Sequence, residues 1–274
     1  MKILIKDETM CVNCQHKTCS MDDVVERVLF AKFKTERYTC PVRYLQTEPT
    51  DDQIEAKRID LDDSSHEGAG LQCIHCGLCV LKCTHNNLSI GNGGIDRFRF
   101  FIDCSCSQND KASNILALSF LNVLFDFAAN TNLNKALLFD GIVCDDTGRR
   151  AFVEVDVGDD SLESCRRLLG DIVQYNFKNQ KNRINIGLMV LNTIPKAGSR
   201  DVITLLEKML KFPGTEKMDI FITTFDLLRI FAMTFKKNQY SFEQLFYNAA
   251  REDYTKYSQR LEEHGIAIAD LKVV

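Results

Sequence analysis

The sequence predicts a chain of two domains in the α+β or α/β class, a small cysteine-rich module followed by a mixed-sheet α/β domain. Eight cysteines lie between residues 11 and 83. Beyond residue 111, segments with helical periodicity alternate with short apolar β segments. The length of 274 residues suits two domains, because a domain usually spans ~100 to 200 residues. We place the first at 1–107, with a polar insertion at 42–70, and the second at 108–274.

Apolar periodicity and turn residues predict an ordered series of elements in the second domain. Helices are predicted at 112–130, 160–179, 199–212, 225–235 and 241–264. Strands are predicted at 135–144, 150–156, 184–192, 218–224 and 265–274. The segment DDTGR at 145–149 predicts a hairpin turn between the first two strands. Helices alternating with strands in this way pack on a central sheet.

The cysteines of the first domain form two groups with short internal spacings. The first group and a later isolated cysteine, which precedes a proline, are Cys11, Cys14, Cys19 and Cys40. The second group is Cys73, Cys76, Cys79 and Cys83. The second group, written CIHCGLCVLKC, resembles the dicluster bacterial ferredoxins, in which three thiolates hold one [4Fe–4S] cluster and a fourth reaches a second cluster.

This resemblance implies two [4Fe–4S] clusters in crossed ligation. One cluster would be held by Cys11, Cys14, Cys19 and Cys83. The other would be held by Cys73, Cys76, Cys79 and Cys40. Gly77 would let the backbone pass close to a cluster. The chain departs from the family at Thr84, which stands where a proline usually follows the last cysteine, and in the longer spacing between Cys14 and Cys19.

Two other uses of these cysteines agree less well with the sequence. A disulfide framework belongs to secreted chains, and MKILIKDETMC at the amino terminus has no apolar segment of the length that a secretory signal needs. A zinc site would favour two separate pairs of ligands over a run of four. The sequence therefore favours iron–sulfur clusters in a reducing cytoplasm. Of the remaining cysteines, Cys104 and Cys106 could approach a cluster, whereas Cys144 and Cys165 are expected to be small buried hydrophobes.

Charge and hydropathy exclude few partners. Residues 1–110 carry 13 Lys+Arg and 17 Asp+Glu, and residues 111–274 carry 21 of each, which together make the 34 and 38 of the whole chain. Neither domain is strongly basic, so the net charge gives no indication of nucleic-acid binding. Local basic groups, typical of solvated faces, are Arg149–Arg150, Arg166–Arg167, Lys178/Lys181/Arg183 and Lys236–Lys237. No apolar stretch reaches the roughly 20 residues of a membrane span, so no membrane is expected.

Three acidic residues stand on the predicted hairpin. Asp140 lies inside an apolar strand, and Glu154 and Asp156 alternate with valines on the next strand, so the last two share one face. Antiparallel pairing can bring Asp140 close to them. Carboxylates that are close together repel, and a divalent cation such as Mg²⁺ is a common way to offset the repulsion. A structural alternative is that Asp140 begins a bend and the other two line a solvated sheet face.

The hairpin and its flanking helices resemble the PD-(D/E)xK restriction-endonuclease-like superfamily over about residues 112–235. Asp140 matches the first acid of the motif and Glu154 the second, and both would bind Mg²⁺. Asp156 stands where the family has lysine, and Gln174 on the following helix would face the site. The resemblance implies catalysis by Asp140, Glu154, Asp156 and Gln174. Other candidates are Lys135 or Lys178 as a replacement lysine and Asp126 as an auxiliary acid.

Three functions follow as hypotheses. The leading one is a Mg²⁺-dependent nuclease that cleaves DNA phosphodiester bonds in restriction or another defence process, with clusters that are structural, redox-sensing or a docking surface for a redox or defence-system protein. The second is a ferredoxin-type electron-transfer protein. The third is a non-catalytic subunit that binds nucleic acid or protein through a degenerate nuclease fold.

Overall fold

The computed structural model describes a large part of the second domain and short segments of the first. The described residues are 3–5, 76–83, 88–90, 98–99, 102, 111–129, 139–156, 161–192, 205–206, 208, 217–248 and 251–266. The chain divides into two compact units, Met1–Ser105 with Lys111–Leu116, and Cys106–Asp110 with Ala117–Val274. The boundary at 107/108 stays a prediction. Within the described residues, no helix is long and apolar enough to cross a membrane.

The first unit contains a two-stranded antiparallel sheet. Strand β1 is Ile3–Ile5 and strand β2 is Leu88–Ile90, with Ile3 opposite Ile90. A short helix, α1, spans Leu78–Lys82. The two strands lie on either side of the segment that holds all eight cysteines of the two groups, so their pairing brings the ends of this segment together.

The second unit contains a five-stranded mixed sheet with the strand order β3-β4-β5-β6-β7. The strands are Asp126–Ala129, Gly141–Cys144, Arg150–Asp156, Ile186–Leu191 and Asp219–Thr224. The first three strands pair antiparallel, and β5, β6 and β7 pair parallel. The further helices, α2 to α6, are Lys111–Leu124, Ser161–Lys178, Phe225–Thr234, Phe242–Leu245 and Tyr254–Glu263. The expected mixed α/β sheet is thereby confirmed.

The hairpin turn between β4 and β5 is built by Asp145. Its N–H donates to Arg149 O over 3.0 Å, and Gly148 N–H donates back to Asp145 O over 3.0 Å. Gly148 has φ 79°, a left-handed conformation that favours glycine. The Asp145 carboxylate also binds the Arg149 guanidinium (2.7 Å) and accepts from Phe242 N–H at the start of α5 (3.3 Å). The predicted turn is confirmed.

Helix α3 packs closely on one face of the sheet. A Cβ on Gly187 of β6 would lie 2.8 Å from Leu168 Cδ2 and 3.2 Å from Ile172 Cδ1, both on α3. Glycine therefore permits this close approach. At one end of the contact, the rings of Phe152 on β5 and Tyr175 on α3 lie edge to face at 5.0 Å. The even-numbered residues of β5 thus face α3.

The opposite face of the sheet is covered by aromatic side chains. Phe242 of α5 lies 5.4 Å from Phe125 and 6.0 Å from Phe221, measured between ring centroids. Phe246 lies 6.1 Å from Phe231 of α4. All five are almost fully buried, so both faces of the sheet are covered. Because both faces of the sheet are buried, β6 and β7 are almost continuous runs of apolar residues.

Two predicted elements are corrected. The helix predicted at 112–130 ends at Leu124, and Asp126–Ala129 form β3 instead, because they pair with Gly141–Cys144 and an apolar run is compatible with helix or strand. The strand predicted at 135–144 begins only at Gly141. Asp140 therefore precedes β4 and is not inside it, while 130–138 lie outside the described residues.

The other predicted elements that the structure describes agree with it to within a few residues, except the helical region at 241–264. The strand at 150–156 and the helices at 160–179 and 225–235 are present as β5, α3 and α4. The helical region predicted at 241–264 is two helices, because Tyr247 between them bridges to Ile222 of β7. Residues 205, 206 and 208 are helical, and 267–274 of the predicted last strand lie outside the described residues.

Candidate functional site

Asp140 and Glu154 face each other across the β4–β5 hairpin. The Asp140 N–H donates to Val153 O (2.8 Å), and its Oδ2 accepts from Val155 N–H (2.8 Å). Gly141 pairs with Val153, so continuing the register by one residue sets Asp140 opposite Glu154. The expected proximity of these two acids is therefore observed.

Glu154 is buried and is held by an arginine from α3. Its residue exposure is 2%. Arg167 donates to Glu154 Oε1 from Nε over 2.7 Å and also from Nη2. Glu154 Oε2 is buried and has no hydrogen-bond partner among the described residues. One oxygen is thus doubly engaged while the other keeps an unmet capacity to accept, which is costly in a buried group.

The surroundings of Glu154 favour its protonated form. Burial and, to a smaller extent, the negative charges of Asp140 and Asp171 outweigh the opposing Arg167 and together raise the pKa of Glu154 to about 7. A nearby positive charge favours the ionised form of a carboxyl group. A cation at the free oxygen would therefore hold Glu154 as a carboxylate at neutral pH.

Asp156 and Asp171 complete a carboxylate cluster, defined here as Asp140, Glu154, Asp156 and Asp171. Ser164 Oγ donates to Asp156 Oδ2. Arg167 Nη2 lies 3.4 Å from the same hydroxyl. Although burial opposes it, the hydrogen bond with Glu154 and the charges of Glu154, Asp156 and Asp140 raise the pKa of Arg167. The charge of one guanidinium therefore acts on Glu154, Asp156 and Asp140 together.

The polar residues of α3 reach the cluster because they lie along one edge of the helix. Ser164, Arg167, Asp171 and Gln174 are spaced by three or four residues, so they follow one edge of the helix. Gln174 is at the exposed end of this edge. The predicted site residue Gln174 thus lies about one turn beyond Asp171, where this edge of α3 is exposed to solvent.

Of the two candidate replacement lysines, the structure describes Lys178, and it does not lie at the cluster. Lys178 is exposed at the end of α3, eleven residues or roughly 16 Å along the helix from Arg167. Lys135 lies outside the described residues. Asp126 binds Lys237 Nζ at 3.1 Å and pairs with Cys144, at the turn end of the hairpin. It is exposed and does not join the cluster.

Sequence reasoning missed Arg167, Ser164 and Asp171. The pair Arg166–Arg167 was interpreted as a solvated face, which holds for Arg166 but is wrong for the guanidinium of Arg167. The signal was available in the spacing, because Ser164, Arg167 and Asp171 lie on one edge of a predicted helix that directly follows β5. The spacing alone could not predict which strand of the sheet this edge of the helix would face.

Of the predicted cluster ligands, the structure describes the second group in part. Cys76 is buried, and Gly77 after it has φ 83°, a left-handed conformation that favours glycine. Cys79 lies in α1 and Cys83 follows its end. The other predicted ligands, Cys11, Cys14, Cys19, Cys40 and Cys73, and also Cys104 and Cys106, lie outside the described residues.

The two cysteines of the second domain differ in burial. Cys165 is fully buried on α3, and burial raises the pKa of its thiol to about 12. It behaves as the expected small hydrophobe. Cys144, for which the same burial was expected, is only half-buried at the end of β4, so the expectation is wrong for this residue.

No family model matches the chain, and no match was found among curated proteins or solved structures. Within the part of the chain that the structure describes, no three or more His, Cys, Asp or Glu side chains are arranged so that they could hold a metal ion together. Around Glu154, the guanidinium of Arg167 occupies the space beside one oxygen.

Replacing Glu154 by glutamine is expected to change how stability depends on pH. The folded-state pKa of Glu154, about 7, lies above the ordinary 4.5. The stabilisation by its proton is therefore fully present at low pH and is lost as the pH rises through about 7. Relative to Glu154→Gln, the wild type should lose on the order of 3 kcal/mol between about pH 5 and about pH 8.

Hydrogen exchange at the β5 amides of the full chain measures this difference. Asp126→Asn is the matched control, because the hydrogen bond from Lys237 lowers the pKa of Asp126 and no such change is expected above pH 5. A difference between wild type and Glu154→Gln that stays constant with pH would contradict the account.

Proposed function

We propose that the second domain is a Mg²⁺-dependent nuclease of the PD-(D/E)xK restriction-endonuclease-like type that cleaves DNA phosphodiester bonds. The observation that carries the proposal is the buried Glu154 opposite Asp140, with one carboxylate oxygen lacking a partner among the described residues. The order of elements agrees with the resemblance, because α2 precedes and α3 follows a hairpin that bears the two acids.

The donor chemistry fits Mg²⁺. This ion prefers a few carboxylate oxygens and retains several waters. Asp140 and Glu154 would hold it, and the unmet acceptor Oε2 is the oxygen of Glu154 that remains available. Bound Mg²⁺ would supply an activated water and stabilise charge on the phosphate. Asp140 also fixes the site to β5 through its bond from Val155 N–H.

Arg167 supplies the positive charge that the sequence motif lacks. Asp156, at the position of the family lysine, cannot stabilise negative charge that develops on phosphate. The guanidinium of Arg167 lies beside it and is held by Glu154 and Ser164. Arginine binds phosphate oxygens through paired N–H groups. We assign phosphate binding to Arg167 and the orientation of Ser164 to Asp156.

A second candidate function is a non-catalytic relative that only binds nucleic acid or protein. The ion pair of Arg167 with Glu154 favours it, since this pair balances charge without a metal ion. In such a protein, chelation of divalent cations would leave binding unchanged.

We further propose that the first domain holds two [4Fe–4S] clusters in a reducing cytoplasm. The left-handed Gly77 between Cys76 and α1, and the β1–β2 pair that joins both ends of the cysteine-bearing segment, support this module. The clusters would be structural, redox-sensing, or a docking surface for a redox or defence-system protein. Eight cysteines in the two groups match the demand of two clusters.

The nuclease proposal predicts that Asp140→Ala and Glu154→Ala each lower cleavage of DNA by roughly 100-fold or more, because each removes a metal ligand. Plasmid and single-stranded DNA are incubated with the full chain and Mg²⁺, with iron content checked in each variant. Asp126→Ala is the matched control, since this exposed acid of the same sheet lies outside the carboxylate cluster and should leave cleavage intact. Cleavage that survives both active-site changes would refute the proposal.

The iron–sulfur proposal predicts about eight iron atoms per chain after anaerobic purification, with absorption typical of [4Fe–4S] clusters. Cys76→Ser should remove about half of the iron, since it takes away one ligand of one cluster. Cys144→Ser is the control and should keep all of it. Zinc in place of iron, or equal iron in both variants, would speak against the assignment.

A further inference from the structure

The outer face of α3 carries the exposed large hydrophobic side chains of the described residues. Val173 is 54% exposed and Phe177 is 79% exposed. They are four residues apart, so they are neighbours on the helix surface. Continuing the same stripe toward the helix start leads to Gly170 and Arg166. We name these four residues the outer stripe of α3.

Gly170 lowers the stability of α3, because it lies in the middle of the helix on its exposed face. Glycine there destabilises a helix by roughly 1 kcal/mol relative to alanine. Within the part of the chain that the structure describes, a Cβ on Gly170 would have no heavy atom within 4 Å, in contrast to Gly187, where α3 itself needs the space. Packing among the described residues does not explain this glycine, and the open space beside it leaves room for another molecule to approach the helix backbone.

The charges around the outer stripe favour an anionic occupant. The exposed cations from α3 to the following loop are Arg166, Arg167, Lys178, Lys181 and Arg183. The exposed acid of this segment is Glu163, whose carboxylate lies 3.8 Å from the Arg166 guanidinium. Cations that flank an exposed aromatic ring are the features with which proteins bind single-stranded nucleic acid, through phosphate pairing and base stacking. A duplex offers no free base face to such a ring.

We propose that the outer stripe of α3 binds a single-stranded segment of nucleic acid, with Phe177 stacked on an unpaired base. Gly170 lets the strand approach the helix backbone, and the flanking cations pair with phosphates. The proposal rests on the nuclease function and deepens it by naming the substrate class. Arg167 and Gln174 lie on the edge of α3 beside this stripe, so a strand bound here passes next to the carboxylate cluster.

Binding of labelled oligothymidylate to the full chain in EDTA, followed by fluorescence anisotropy, tests the proposal without cleavage. Phe177→Ala should weaken binding roughly tenfold, and Phe177→Trp should restore it, because stacking of one base is lost and regained. Gly170→Ala should weaken binding while it stabilises α3. Lys178→Ala should reduce the slope of log affinity against log salt by about 0.7, whereas Lys256→Ala, on α6, should not.

The outcomes separate this proposal from the nuclease function. Unchanged affinity in Phe177→Ala and Gly170→Ala, or preference of the wild type for duplex over single strand, overturns the proposal even when cleavage is present. Loss of a self-association or protein contact in Phe177→Ala, with single-strand affinity intact, also overturns it and assigns the stripe to protein binding. Weakened single-strand binding in both variants supports it, even when the wild type does not cleave.

Discussion

The ion pair between Arg167 and buried Glu154 is the interaction on which the second domain's candidate site depends. It joins the helix α3 to β5 through a carboxyl group that is almost fully removed from water. Removal of one partner from a buried pair typically costs about 3–5 kcal/mol. The cost should be smaller here, because 39% of the Arg167 side chain is exposed. The same exposure leaves the guanidinium within reach of a ligand.

This pair also explains why acidic residues can gather at a place where apolar residues would pack. Phe152 and Tyr175 pack against each other at one end of the interface between α3 and the sheet, and Leu168 packs over Gly187. Only toward the end of β5 do Glu154 and Asp156 interrupt this apolar contact. The polar edge of α3 meets them there. A divalent cation at Asp140 and Glu154, as proposed, would offset the repulsion between these two carboxylates.

Local patterns were sufficient to predict much of the fold. Alternation in RAFVEVD predicted β5, and the turn residues before it predicted a hairpin whose Gly148 adopts positive φ. Residues 126–129 were misassigned because their strand character comes from pairing with β4, which is a long-range contact. Arg167 was missed for a related reason. Its role depends on the rotation of α3 against the sheet, which is set by Leu168, Ile172 and the space at Gly187.

We propose that Glu154 and Asp140 form a metal site, and crystals of the full chain soaked in Mn²⁺ above pH 7 test this claim most directly. We expect an anomalous peak in contact with Glu154 Oε2 and an Asp140 oxygen, while Arg167 remains on Glu154 Oε1. Absence of the peak, with Arg167 still bound to Glu154, would contradict the claim and would favour a domain in which arginine alone balances the buried charge.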